Sequence, residues 1–140
     1  MRLLRRGARA EFPTGGGKLT SSSRLPPAGT GGGTDLRARH CVPCEGGVDK
    51  LDAARAAELH RQVPAWQLRD DKLYRRFTFR DFKAAMRFVD QMADVAEGEG
   101  HHPDFAVHYN RVDVTIWTHA IDGLSENDFI LAAKIDALAP

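Results

Sequence analysis

Six histidines occur in the 140-residue chain: His40, His60, His101, His102, His108 and His119. Three of them, His101, His102 and His119, lie in the C-terminal third. Imidazole titrates near neutral pH, so such a cluster suits general acid–base catalysis. Neutral imidazoles also ligate zinc, which is the second chemistry to weigh. No HxH or HExxH spacing is present. Adjacent histidines in an extended stretch point to opposite sides, so joint ligation by His101 and His102 is awkward. Acid–base chemistry without a metal is therefore the expectation. A single histidine of this kind is as often just a solvated polar side chain; three that converge are less so.

Convergence depends on the elements around them. His101-His102 follows a glycine-broken stretch, Gly98 and Gly100, and precedes Pro103. Proline fixes its own φ and biases His102 toward extended backbone, so side-chain directions there are well defined. Phe105, Val107 and Tyr109 then alternate with Ala106 and His108, Asn110-Arg111 reads as a turn, and Val112, Val114, Ile116 and Thr118 alternate with Asp113, Thr115, Trp117 and His119. That is a β-hairpin with His119 at the end of its second strand, off the Val112/Val114/Ile116 face. Antiparallel pairing brings the start of one strand beside the end of the other. His101, His102 and His119 are thus expected at one end of a sheet.

The rest of the chain reads as four further elements. Asp49 can cap a helix over residues 49–62, carrying Leu51, Ala54, Ala57 and Leu59, that Val63-Pro64 ends. Residues 66–69 and 73–79, joined by Asp70-Asp71, read as another hairpin. Asp81 caps an amphipathic helix reaching about Glu97, with Phe82, Ala85, Met86, Val89, Met92, Ala93 and Ala96 on its apolar face. Ser125 opens the last helix, Asp128 stands in a capping-box position, and Leu131, Ile135 and Leu138 face the core. The order α-ββ-α-ββ-α predicts an α+β two-layer sandwich, a four-stranded antiparallel sheet with helices on one face. A core of about 95 residues is marginal alone, so an uncovered sheet face or edge is a candidate oligomer contact.

Composition bounds the alternatives. With 42% hydrophobic and 28% charged residues the chain has the make-up of one globular domain. A net charge of +1 offers no general attraction to nucleic acid, and no apolar run approaches the roughly 20 residues that span a membrane. Charge is uneven: residues 1–40 hold eight Lys/Arg against Glu11 and Asp35, and glycine triplets, Ser21–Ser23 and Pro26-Pro27 punctuate them. Residues 1–40 therefore read as a disordered basic tail or an organelle transit segment, and residues 41–140 as the domain. A cytoplasmic location is expected, or a mitochondrion or plastid if the tail is a transit peptide. Cys41 and Cys44 form a CxxC. It lacks the second half of a zinc site and the preceding strand of a thioredoxin-like redox pair.

The run Glu97-Gly-Glu-Gly-His-His-Pro-Asp104, followed by Tyr109-Asn110, Thr118-His119 and Gly123-Leu-Ser-Glu-Asn-Asp128, resembles pterin-4a-carbinolamine dehydratases. The likeness extends through Trp66, Phe77–Phe82 and the helix after them, and includes the Cys41–Gly47 lead-in seen in a subset of bacterial and plant members. It implies an α+β fold with a four-stranded sheet, a homodimer or homotetramer, and no metal or organic cofactor. It implies dehydration of 4a-hydroxytetrahydropterin to the quinonoid dihydropterin, which recycles tetrahydrobiopterin for aromatic amino acid hydroxylases, the implied partner class. By the same resemblance His101 and His119 are the acid–base pair, and His102 positions the substrate or shares proton transfer. Gly100, Pro103, Trp117, Thr118, Ala120 and Asp128 are the implied substrate-binding residues. Asp128 either orients His119 or only caps the last helix, and Glu97 matches a family acid near the site. Gly100 departs from the acid or amide common before the HHP motif, and Phe105 from a tryptophan. Other members act as dimerisation cofactors for transcription factors or as assembly factors for a carbon-fixing enzyme. Those assembly factors tend to have degraded histidine motifs, whereas all three histidines stand here.

Overall fold

The computed structural model describes residues 35–44 and 47–140. Residues 1–34 of the expected 1–40 tail and the Glu45-Gly46 step of the lead-in lie outside the described residues. The elements are α1 (Ala53–His60), β1 (Gln67–Arg69), β2 (Lys72–Thr78), α2 (Phe82–Glu99), β3 (Asp104–His108), β4 (Arg111–Ile116) and α3 (Glu126–Asp136), with short 3-10 turns at Leu36–Ala38 and His119–Ile121. The four strands form one antiparallel sheet in the order β1-β2-β4-β3. This is the α+β sandwich expected from the hydrophobic pattern.

Strand parity decides which sheet face is covered. Leu73 and Phe77 of β2 and Val112, Val114 and Ile116 of β4 are buried, and they join Ala85, Phe88, Val89 and Met92 of α2 in the core. Phe88 belongs to that core while Phe82 is 48% exposed, so the apolar stripe of α2 is rotated slightly from the expected one. Phe88 packs between Phe77 and Phe79, with ring centroids 4.6 and 5.0 Å away. Met86 is half-buried, and Ala93, Ala54 and Ala57 are exposed. The β1–β2 turn is Asp70-Asp71 as expected, both in left-handed backbone (φ 49° and 57°), a combination that suits a tight hairpin.

Three boundaries differ here from expectation, each because of a contact with a distant part of the chain. The N-cap of α1 is Asp52, whose side chain accepts from the N–H of Arg55 at 2.7 Å, and not Asp49. Leu51 donates its N–H to Leu124 at 2.9 Å, which holds the chain before Asp52 outside the helix. The β3–β4 turn is Tyr109-Asn110, because His108 pairs with Arg111. Asn110 is claimed by Phe79, the residue after β2: its side chain donates to the carbonyl of Phe79, and its own carbonyl accepts from the Phe79 N–H, both at 2.8 Å.

The third difference concerns the start of the domain. Residues 35–40, expected in the tail, pack on α3, and Leu36 is completely buried. Asp35 accepts from the N–H of Arg37, Leu36 donates to Gln62 Oε1 at 3.3 Å, and Arg39 pairs with Glu126. Beyond them Val42 and Asn127 exchange two hydrogen bonds: Val42 N–H to Asn127 Oδ1 at 3.0 Å, and Asn127 Nδ2 to the Val42 carbonyl at 2.7 Å. This N-terminal arm explains why α3 is buried on nearly every side from Asn127 to Ala133. A helix that is apolar all round needs cover on both faces.

Candidate active site

The end of α2 sets the first two histidines. The helix runs through Gly98 and stops at Gly100, which adopts left-handed backbone (φ 62°). Its N–H caps the helix, and the N–H of His101 returns to the Ala96 carbonyl at 3.2 Å. Glycine, and after it asparagine, tolerates this conformation best, which accounts for the residue type found before the histidine pair. The reversal sends the two imidazoles apart: the His101 side chain is 7% exposed and that of His102 is 62% exposed.

His101 reaches inward to Asp128, Nε2 to Oδ1, at 2.6 Å. Asp128 is fully buried, and its other oxygen accepts from Thr118 Oγ1 at 2.9 Å and from the Ser125 N–H at 2.8 Å. The Thr118 and Ser125 hydroxyls are themselves 2.8 Å apart. A carboxylate so surrounded is an acceptor, so His101 donates from Nε2, and in the neutral imidazole Nδ1 carries the lone pair. Asp128 completes the capping box of α3 and fixes the His101 ring in one motion. Its contact is with His101 and not with His119, and it stands behind the cleft wall, not on it. Its position in the first turn of α3 points its side chain under the histidine and away from the surface.

His119 does not end β4. Thr118 and Gly123 form a bridge, with Thr118 N–H to the Gly123 carbonyl at 2.9 Å, and this pinches residues 119–122 into a 3-10 turn. His119 opens that turn and stacks on Trp117, ring centroids 3.9 Å apart at 28°. Asp104 ties the stack from β3: its Oδ2 accepts from Trp117 Nε1 at 3.0 Å and lies 3.6 Å from His119 Nε2. The Lys72 ammonium stands 4.2 Å from the Trp117 ring centroid. His102 Nε2 lies 2.6 Å from Glu97 Oε1, one α2 turn back, with both side chains in solvent.

All three histidines line one cleft of about 460 Å³, together with Gly100, Pro103, Trp117, Thr118 and Ala120. A cleft of this size suits a bicyclic small molecule. Asp104 and Cys44 complete its wall, and neither was anticipated there. The HHPD run contains the Asp104 signal; nothing local marks Cys44, which the N-terminal arm carries in from a distance. Among the described residues no three His, Cys, Asp or Glu side chains are grouped to hold a metal ion. Nor, among them, is any helix long and apolar enough to cross a membrane.

Electrostatics of the surroundings secure the arm that brings Cys44. Burial works to raise the carboxyl of Glu99, but Lys134, the Cys41 N–H and His40 overcome it and hold the group at about 2. Cys41 goes the other way: burial, then the charge of Glu99, push its thiol up to about 12.

Comparison with known proteins gives a consistent result. A family model described as Pterin 4 alpha carbinolamine dehydratase matches residues 49–138. A relative from Halorhodospira halophila, provisionally named pterin-4-alpha-carbinolamine dehydratase, is 51% identical over 105 residues, 74% of this chain and 96% of its own. A relative of the same provisional name from Nitrosomonas europaea is 50% identical over 105 residues, 74% of this chain and 93% of its own. Among solved structures, a transcriptional coactivator/pterin dehydratase from Brucella melitensis superposes with a TM-score of 0.63 at 38% identity, covering 66% of this chain and 100% of that one.

Proposed function

The chain belongs to the pterin 4 alpha carbinolamine dehydratase family, and from that premise we propose that it dehydrates 4a-hydroxytetrahydropterin to the quinonoid dihydropterin, as part of tetrahydrobiopterin recycling. The observation that carries this is the placement of His101, backed by a buried carboxylate, in the same cleft as His102 and His119.

Loss of water from a carbinolamine needs one proton delivered to the departing hydroxyl and one taken from the adjacent ring nitrogen. His101 is the proposed base. Its Nε2–H is committed to Asp128, so Nδ1 is the atom that can take a proton, and Asp128 then balances the imidazolium that forms. His119 is the proposed acid, held by the Trp117 stack and by Asp104. His102, steadied by Glu97, positions the substrate at the outer rim. Gly100, Pro103, Trp117, Thr118 and Ala120 are the proposed pterin contacts.

The same proposal includes a cytoplasmic location and a homodimer or homotetramer. Edge strand β3 carries Phe105, 47% exposed, which suits a contact between copies. A non-catalytic binding role, of the coactivator kind named for the Brucella protein, is the alternative. Incubation with the chemically generated carbinolamine separates the two: the proposal expects water loss faster than in buffer. A rate equal to buffer would leave only the binding role.

A further inference from the structure

The proposed dehydration leaves one motif unused. Cys41 and Cys44 both precede the segment matched by the family model, residues 49–138, yet the fold delivers Cys44 to the cleft. The two thiols are not equivalent. Both are half-buried, but the Cys41 Sγ donates to the Asn127 carbonyl at 3.5 Å. Cys44 Sγ lies on the cleft wall, 3.9 Å from His101 Nδ1, and accepts from Asn127 Nδ2 at 3.5 Å. Asn127 is itself buried and clamped to Val42, so the strap that carries Cys44 is anchored two residues away.

This is a thiol beside a base. In the neutral imidazole His101 Nδ1 carries the lone pair, because Nε2–H is donated to Asp128. Asn127, in the first turn of α3, offers the sulfur an amide donor. The cleft around the pair is open enough to admit a small molecule.

We propose that Cys44 is a modification site inside the cleft, taking a low-molecular-weight disulfide as its co-reactant and closing the cleft when it does. The Cys44 proton passes to His101 Nδ1, and the thiolate attacks one sulfur of the disulfide. The new S–S bond forms as the old one breaks, and the departing thiolate takes the proton back from His101. One thiol and one disulfide give one mixed disulfide and one small thiol, so the exchange balances. Cys41 does not resolve the adduct on this account, since its thiol is engaged by the Asn127 carbonyl. The CxxC is on this account one reactive thiol and one structural thiol, and not a redox pair. The adduct occupies the space between His101 and the opposite wall. Loss of dehydratase activity on modification rests on the function proposed above; the modification itself does not.

The test uses oxidised glutathione on the full chain, with intact mass, peptide mapping and a dehydratase assay. One glutathionyl group is expected, mapped to Cys44, absent in Cys44→Ser and retained in Cys41→Ser. His101→Asn should slow labelling several-fold. The labelled protein should lose its dehydratase rate and regain it with dithiothreitol. Label on Cys41, an internal Cys41–Cys44 disulfide, or no label overturns the proposal, as does an unchanged labelling rate in a folded His101→Asn. Should that variant not fold, mapping on the unmutated chain decides. If the unlabelled protein shows no dehydratase rate, the proposed function fails, while mass and mapping still judge the thiol site.

Discussion

Asp128 is the residue on which most of the site depends. It caps α3, satisfies Thr118 and holds His101, all without reaching the surface. Asp128→Asn keeps the shape but offers an amide where His101 needs an acceptor. It should lower kcat by roughly 10²–10⁴, the range of a lost acid–base contribution, with a smaller effect on KM. Steady-state kinetics on the variant checks this; an unchanged kcat would remove Asp128 from the account. Thr118→Val deletes one donor to the buried carboxylate and should cost about 1–3 kcal/mol of stability, read from urea unfolding. The three histidines were legible as a cluster, because strand parity and antiparallel pairing place them at one end of the sheet. The partner of Asp128 was not: its capping position is plain from Ser125, but which histidine lies beneath depends on how α3 crosses the end of α2. His119 was expected on a strand, and the Thr118–Gly123 bridge that bends it into a 3-10 turn has only Gly123 as a local sign.

At the scale of elements, the N-terminal arm is the part sequence reasoning missed most. Leu36, isolated between Asp35 and Arg37 after a glycine triplet, gives no periodicity, and its burial depends on α3, some ninety residues later. The signal lay in α3, where Phe129-Ile-Leu-Ala-Ala133 is apolar on every side and so calls for a cover. Leu36→Ala should cost ~2–5 kcal/mol, the range for emptying a buried leucine site. A loss below about 0.5 kcal/mol in urea unfolding, the size of a neutral surface change, would contradict the packing. The arm also carries a pH dependence. Burial raises the Glu99 carboxyl, but Lys134, the Cys41 N–H and His40 bring it down from 4.5 to about 2. Its folded value is below its unfolded one, so the unfolded chain binds the extra proton and stability falls on acidification. The contribution is complete above the unfolded value and is lost as pH drops from there through about 2. Glu99→Gln should flatten that part of a stability-against-pH curve; an identical slope in both proteins would argue against the clamp.

For the whole molecule, alternation in β2 and β4 and the stripe on α2 were enough to specify an α+β sandwich, because one-sided burial leaves a sheet and its helices a single way to meet. Edge strand β3 remains open, with Phe105 exposed on it. If copies pair there, Phe105→Glu should shift the protein toward monomer in analytical ultracentrifugation, and an unchanged mass would place the contact elsewhere. The central claim, that the cleft is a dehydratase site run by His101 and His119, is tested most directly by one rate measurement. Formation of quinonoid dihydropterin from chemically generated carbinolamine is followed by absorbance with the unmutated chain, His101→Ala and His119→Ala. The account predicts clear acceleration over buffer by the unmutated chain and a loss of roughly 10²–10⁴ in each variant. A rate no greater than buffer, or equal rates in all three proteins, would contradict it.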